Sequence, residues 1–457
     1  MGESVDQSRG GAPGSAHGSV LRALPGLLAA AEADARAAVE RARAGEHPLV
    51  PHTHAVPGRL VCGDNLRALA QLVVEAEMGE RRPTLVYLDP PFDSKADYRS
   101  RVTTRLADGE EVALEHLAYS DRWGGGTREY LRMLAARLVL VRELLAEDGA
   151  VCVHVDWHAS HWVRVVLDEV FGVDNFVNAL VWSYRSGGAS RTRSVPRKHD
   201  DLLLYRRGPG FRVRPLTERQ YLERPFIGSK VDDEGRHYAD TLLRDVLEGS
   251  FAVVSDGGVH PVSVRPVLNV SAERTGYATQ KPLGLLEVLL RWTTAPGDLV
   301  VDAFGGSGTT ALAAGRLGRD WVSIDSNPQA VATTQARLDR DGAAYLVGRE
   351  AWGEARIRAV VAGATVRLEA ASAGSLAAFR AARGAAADAV ARVGADALAG
   401  VAGWTLRFRD VRLASAWRDA RGRLALELEV PAAVDPANLT VEVTDLAGVT
   451  TRATPTA

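Results

Sequence analysis

Apolar positions along this chain fall into short runs separated by stretches where they recur every three to four residues. Residues 85–88 read Leu-Val-Tyr-Leu without interruption, and 150–155, 299–301 and 321–324 are similarly dense. Runs of this length, bounded by turn residues, predict strands buried on both faces. Leu131, Leu134, Leu138, Val141 and Leu145 instead repeat at a helical period and predict a helix over 130–145, which Asp148-Gly149 ends. A second amphipathic stretch over 161–171 is closed by Gly172. Two more helices are expected, one after Thr279 through Leu290 and one up to about Leu317. Strands alternating with helices imply an α/β domain with a parallel sheet.

The flanks differ. Residues 1–20 are rich in Gly, Ser and polar residues and are expected to be disordered. An Ala/Arg/Glu-rich helix over 21–43 leads to the domain, which begins near residue 59. Beyond Gly342 the chain becomes alanine-rich, which predicts helix, and a strand-rich tail follows from Trp404 to Thr451.

Charge and composition narrow the picture. The chain carries 55 Lys and Arg against 57 Asp and Glu, so a nucleic-acid partner would have to be met by a local basic patch. Residues 182–230 supply one, with twelve Lys and Arg against four acids. Two cysteines, Cys62 and Cys152, give neither a disulfide framework nor a metal cluster, which fits a reducing cytoplasm. His52, His54, His154, His158 and His161 form no convincing metal set, so no metal is expected. No apolar run approaches the ~20 residues of a membrane span. The N-terminus lacks a signal core, and Asp6 breaks the myristoylation pattern. A cytoplasmic location is expected.

The strand at 299–301 runs into Asp302-Ala303-Phe304-Gly305-Gly306-Ser307-Gly308-Thr309-Thr310. Three glycines let the backbone approach a ligand, and the helix after them offers free N–H groups. Asp325, ending the next strand, suits ribose hydroxyls. No Gly-Lys-Ser/Thr closes the loop, so it is not a P-loop. Ala311 replaces the third glycine of a dinucleotide fingerprint. The loop alone leaves S-adenosylmethionine and a dinucleotide both open.

The strand at 85–88 ends at Asp89-Pro90-Pro91-Phe92. Two prolines lock the turn, holding a carboxylate, a carbonyl and an aromatic face together. The carboxylate and carbonyl can accept both hydrogens of an –NH2 group while Phe92 stacks on the base carrying it. That base must lie outside the duplex, at a cost of a few kcal/mol, and stacking worth about 1–3 kcal/mol offsets part of it. Holding both hydrogens favours a pyramidal, nucleophilic nitrogen and stabilises its growing positive charge.

In their order these segments resemble the DNA amino-methyltransferases of the permuted beta group, with Asp-Pro-Pro-Phe ahead of the Phe304-to-Gly308 motif. Further segments share the resemblance. Gly63-Asp64-Asn65-Leu66 lies upstream of the catalytic strand, and Tyr277-Ala278-Thr279-Gln280-Lys281-Pro282 precedes the cofactor strand. His154-Val155-Asp156 and Pro196-Arg197-Lys198-His199-Asp200 lie between them. The likeness spans about 60–338. Two departures stand out: Phe92 replaces the commoner Tyr, and Ala303 replaces a frequent Pro.

The resemblance implies a Rossmann-like methyltransferase of circularly permuted motif order, using S-adenosyl-L-methionine. Residues 59–181 would form the catalytic half, 182–275 a target-recognition insertion, 276–342 the cofactor half and 343–457 an accessory region. Asp89, Pro90, Pro91 and Phe92 would act on the base. Asp64, Asn65, Gln280, Lys281, Asp302, Phe304, Gly305, Gly306, Ser307, Gly308, Thr309, Thr310 and Asp325 would hold the cofactor. Arg185, Arg191, Arg193, Arg197 and Lys198 would contact double-stranded DNA, with the Gly-rich 186–190 loop closing on the flipped base. Asp at position 89 points to adenine-N6 transfer, with cytosine-N4 transfer and a catalytically silent DNA-binding subunit as alternatives. A restriction subunit and a second copy of the chain are open as partners.

Overall fold

The structure is a computed structural model. It describes residues 20–46, 51, 56–185, 195–268, 271–350, 352–354, 356–371, 376, 379–382, 384–408, 411–432, 434–435 and 438–456. The expected disordered N-terminus, the 186–190 loop, Arg191, Arg193, His52 and His54 lie outside them.

A nine-stranded sheet forms the centre. Its order is Val246–Glu248, Phe176–Ser183, His199–Arg206, Ala150–Val155, Leu85–Leu88, Leu299–Asp302, Asp320–Asp325, Gly58–Cys62 and Tyr345–Arg349. All neighbours pair in parallel except His199–Arg206, which runs against both strands beside it. Leu85–Leu88 and Leu299–Asp302, more than two hundred residues apart in the chain, are adjacent, with Leu85 opposite Val300 and Tyr87 opposite Asp302. That register brings Asp89 and the glycine loop to the same carboxyl edge, where ligands of open α/β sheets bind.

Both faces of the sheet are covered, which is why the central strands are mostly apolar on both sides. Val86 and Leu88 face the helices Asn65–Glu77, Thr127–Leu144 and Ser160–Phe171. Leu85 and Tyr87 face Leu283–Thr293, Thr309–Arg316 and Pro328–Arg340. The N-terminal helix Val20–Arg43 makes a further layer, burying Ala31, Ala35 and Ala38 along one stripe. Ion pairs from Arg43 to Glu77 (2.6 Å) and from Arg132 to Asp34 (2.8 Å) fasten its outer side.

The basic stretch of 182–230 is not one unit. His199–Arg206 is an interior strand of the main sheet, with Leu202 wholly buried. An antiparallel five-stranded sheet follows, made of Thr217–Tyr221, Lys230–Val231, His237–Leu242, Ser250–Ser255 and Gly258–Ser263. Over 217–263 the sequence holds five Lys and Arg against nine acids, so the positive charge does not extend across this sheet.

The alanine-rich segment beyond Gly342, expected to be helical, is mostly strand. Tyr345–Arg349 completes the edge of the main sheet, and Ile357–Ala362, Thr365–Ala371 and Phe379–Ala381 follow. Among the described residues after 342 the one helix is Ala389–Ala395. Alanine's helical propensity is a fraction of a kcal/mol per residue, and packing overrides it. Val366 and Leu368 alternate inward against Trp404, Leu406 and Val441 in a separate core. Val401–Phe408, Val411–Trp417, Leu439–Asp445 and Thr450–Ala453 form the expected strand-rich tail.

A long hairpin, Asp97–Arg105 with Glu111–Ser120, extends the chain after the Asp-Pro-Pro-Phe turn. Phe379–Ala381 adds a third strand to it. Arg380 and Arg392 reach across to Glu115 (2.9 Å) and Glu110 (2.5 Å), and Thr104 donates to the Ala399 carbonyl. The C-terminal region thereby grips an element that rises from the catalytic half.

Among the described residues no helix is long and apolar enough to cross a membrane. Among the same residues, no three His, Cys, Asp or Glu side chains cluster as metal ligands.

Candidate active site

A cavity of about 440 Å³ opens at the carboxyl ends of Leu85–Leu88, Leu299–Asp302 and Asp320–Asp325. It is lined by every expected catalytic residue, Asp89 to Phe92. It is also lined by each expected cofactor residue except Gly308. Gly308 works from behind, in the left-handed conformation (φ 76°) that opens the helix Thr309–Arg316. A Cβ there would meet Thr334 at 2.5 Å, and one on Gly305 would meet the Ser323 hydroxyl at 2.3 Å. The loop is thus pressed onto the sheet at Gly305 and onto the helix Pro328–Arg340 at Gly308.

Asp325 holds this loop as well as facing the cavity. Its carboxylate accepts the Gly306 N–H (2.8 Å) and the Asn327 N–H (2.8 Å). Burial raises its pKa, and the two N–H groups oppose the shift. Asp302 is more strongly affected. Burial pushes its carboxyl to about 7, against hydrogen bonds from Thr310 and the Phe304 N–H.

Asp64 caps the helix Asn65–Glu77 by accepting the Arg67 N–H at 3.0 Å. Asn65 donates to the Ala303 carbonyl (2.7 Å), tying this segment to the cofactor strand. Arg137, which no sequence motif singled out, reaches in from Thr127–Leu144 to Asn65 (2.8 Å) and Asp64 (3.3 Å). Gln280 lines the cavity and braces its own loop through Thr275 (2.8 Å) and the Glu273 carbonyl (2.7 Å). Lys281 departs most from expectation, because its ammonium lies on the Asp89 carboxylate at 2.7 and 2.8 Å.

The turn carrying Phe92 has buried support. Asp121, with no exposed surface, accepts the backbone N–H groups of Phe92, Asp93 and Ser94 at 2.7–3.0 Å. Asp93 and Lys95 adopt positive φ (58° and 62°), a strained conformation for non-glycine residues that this carboxylate stabilises. Behind Phe92 stands His154, whose ring stacks at 6.1 Å and 26°. His154 is wholly buried and bridges the Tyr87 hydroxyl (2.8 Å) to Asp200 (3.2 Å), and Tyr184 donates to Asp200 (2.8 Å). Burial opposes the charge on Asp200, yet the His154 and Tyr184 hydrogen bonds hold its pKa below the usual range.

Of the expected DNA contacts, the three among the described residues lie outside the cavity. Arg185 is exposed and pairs with Glu248 (3.1 Å), while Arg197 lies 3.6 Å over the ring of Trp157, itself exposed. Lys198 is half-buried. All three flank the point where the chain leaves the sheet at Ser183 and returns at His199, on the same edge as Asp89. The Tyr119 and Asn327 side chains, also unforeseen, complete the cavity wall. Tyr119 bonds Thr279 (3.3 Å), and Asn327 bonds the Ala118 carbonyl (2.6 Å).

Acids outnumber cations around this cavity: Asp64, Asp89, Asp302 and Asp325 face Arg137 and Lys281, both of which already touch carboxylates. A pyrophosphate would meet these acids unfavourably, whereas a sulfonium and an ammonium would be welcomed. That donor set fits S-adenosylmethionine and disfavours a dinucleotide. A parallel sheet with one reversed strand, a glycine loop and an acid-lined cavity together define a Rossmann-like S-adenosylmethionine-dependent methyltransferase. The match of residues 84–336 to a DNA methylase family model, the one covering N6 and N4 transfer, places the chain in that family of DNA methyltransferases. The type II methyltransferase M.EcaI of Enterobacter cloacae is 26% identical over 348 residues, covering 65% of this chain and 72% of that one. The type II methyltransferase M1.MboII of Moraxella bovis is 41% identical over 269 residues, covering 54% and 85%. Among solved structures, the cytosine-N4-specific PvuII DNA methyltransferase matches at 18% identity and a TM-score of 0.40, covering 64% of this chain and 89% of that one.

Proposed function

We propose that this protein transfers the methyl group of S-adenosylmethionine to N6 of an adenine flipped out of a specific DNA sequence. The observation that carries this reading is the position of Asp89. It stands at the end of a central strand, beside the cofactor strand, on a turn fixed by two prolines and by Asp121.

Asp89 and the Pro90 carbonyl accept the two hydrogens of the adenine amine, and Phe92 stacks on the ring. Asp89 stabilises the positive charge that grows on nitrogen as it attacks, and the extra proton leaves afterwards. His154 backs Phe92, so the stacking face keeps one orientation. The cofactor supplies an electrophilic methyl on a sulfonium. The Gly305–Thr310 loop, Asp325, Asp64 and Asn65 would hold it, with Arg137 and Asp302 at the cavity wall. Arg185, Arg197 and Lys198, with Arg191 and Arg193 of the intervening segment, meet phosphates, and the 182–275 insertion, apart from its main-sheet strand His199–Arg206, carries target recognition. Asp at position 89, rather than Ser, favours adenine.

The test is to incubate the protein with the cofactor and unmethylated DNA, then identify modified nucleosides by mass spectrometry, with Asp89→Ala as control. N6-methyladenine lost in the control is the expected result. N4-methylcytosine would replace the assigned base. No modified base despite cofactor binding would overturn the reading.

A further inference from the structure

Lys281 enters the cavity from a segment whose backbone is held on several sides. Gln280 folds back on Thr275 and Glu273, Pro282 opens the helix Leu283–Thr293, and Thr309 of the cofactor loop donates to the Lys281 carbonyl at 3.1 Å. Thr279 sits at φ 57°. With its backbone fixed, Lys281 retains only the freedom of its four-carbon side chain.

The end of that side chain lies where a target amine would lie. Its nitrogen is 2.8 and 2.7 Å from the two Asp89 oxygens and 5.0 Å above the centroid of the Phe92 ring. A base amine accepted by Asp89 and stacked on Phe92 needs the same two partners. The two nitrogens cannot share one place, the one that faces both Asp89 oxygens and the Phe92 ring. Retention of the ammonium would also oppose the chemistry, because it cancels the negative potential that a nitrogen becoming cationic requires. Departure of the ammonium from this mostly buried pair is costly unless another positive or hydrogen-donating group takes its place on Asp89.

We infer that Lys281 is the resident occupant of the target-amine site, and that a base enters only as this ammonium leaves Asp89. The inference rests on Asp89 being the amine acceptor. Lys281 is then a positioning residue that sets how readily the empty enzyme takes a base. Its displaced ammonium has other acidic side chains within the cavity, among them Asp64 and Asp325. The methionine carboxylate of the cofactor is one more anion, so cofactor loading would draw Lys281 off Asp89 and ready the site.

The experiment uses the full chain and a duplex carrying the modified sequence, mapped in DNA from a host expressing the protein. 2-Aminopurine placed beside the target base brightens when its neighbour leaves the stack. Without cofactor, Lys281→Met should raise this signal several-fold over wild type, while overall DNA affinity by anisotropy stays within a few-fold. Lys281→Arg, whose fork grips a carboxylate in two places, should give a weaker signal than wild type when cofactor is present. If Lys281→Met matches wild type without cofactor, the inference is overturned. Should that variant fail to fold, a Lys281→Arg signal equal to wild type overturns it instead. Adding Asp89→Ala to Lys281→Met separates the two readings. A signal that survives the double change would mean that the base does not sit on Asp89, and the proposed function would fail with it.

Discussion

The Asp121 carboxylate lies beneath the turn that presents Phe92, with the Phe92 backbone nitrogen 3.0 Å from one of its oxygens. The same carboxylate also accepts from the Asp93 and Ser94 backbones, the Ser94 hydroxyl and the Trp123 indole. One buried acid therefore fixes the aromatic face on which a base would stack. Asp121→Ala would orphan several donors at once, at about 1–3 kcal/mol for each that stays unpaired. The protein should lose roughly 3 kcal/mol of stability, and the turnover of what still folds should fall at least about tenfold. Urea unfolding and single-turnover kinetics check both. Unchanged turnover would show that the turn holds its shape unaided.

Asp89→Ala removes the group that stabilises charge on the attacking nitrogen. Loss of one such preorganised group costs about 10²–10³ in rate, and more when it also orients the nucleophile. Transfer should become undetectable, with cofactor affinity within a few-fold of wild type. Calorimetry with the cofactor measures the second quantity. A large affinity loss would move Asp89 from base handling to cofactor binding.

Gly308→Ala places a methyl 2.5 Å from Thr334 at a φ of 76°. The loop must lift or the helix must shift, so cofactor affinity should fall tenfold or more. Gly306→Ala faces no atom closer than Tyr277 at 3.5 Å, although its φ of 50° still strains the variant. It should lose less affinity than Gly308→Ala, and the reverse order would refute the steric argument.

Asp302 titrates near neutrality because it is buried. Its folded pKa, about 7, lies above the unfolded value, so the unfolded chain ionises first as pH rises. Its contribution to stability should fall between about pH 4 and 7 and then level off. Asp302→Asn should flatten that slope. A cationic cofactor nearby would also lower this pKa and release protons, so binding enthalpies at pH 6.5 should differ between buffers of unlike ionisation enthalpy. Equal enthalpies would place Asp302 away from the cofactor's charge.

Arg185 and Arg197 flank the segment that leaves the sheet on the same edge as Asp89. If both neutralise phosphates, replacing them by Ala should lower the salt slope of DNA binding by up to about two. An unchanged slope would direct the DNA across another face.

The two halves of the site were legible because each joins an apolar strand to residues with little conformational choice, two prolines in one and three glycines in the other. The strand at 150–155 was readable for the same reason, despite His154. His199–Arg206 was harder to read, since Asp200, Asp201 and the basic residues around it look like surface. Asp200 is nevertheless buried, because His154 and Tyr184 supply its hydrogen bonds. Such partnerships join residues from different strands, and no spacing rule reveals them. Asp121 and Arg137 escaped notice likewise, as each serves a segment distant in sequence. The alanine-rich tail misled because composition reports propensity, whereas Phe379 pairs with a strand far earlier in the chain and Val366 packs on strands that arrive later.

The position of Leu299–Asp302 between Leu85–Leu88 and Asp320–Asp325 also bears on how the molecule is made. As the chain leaves the ribosome, the strand before Asp89 appears early, and one of its two edges stays unpaired until some two hundred more residues have been added. Contacts of such long sequence separation form slowly, because the intervening chain must first be closed into a loop. Until then the nascent protein carries an apolar strand edge open to other chains. The window of greatest aggregation risk should therefore close when residue 302 becomes free to enter the sheet.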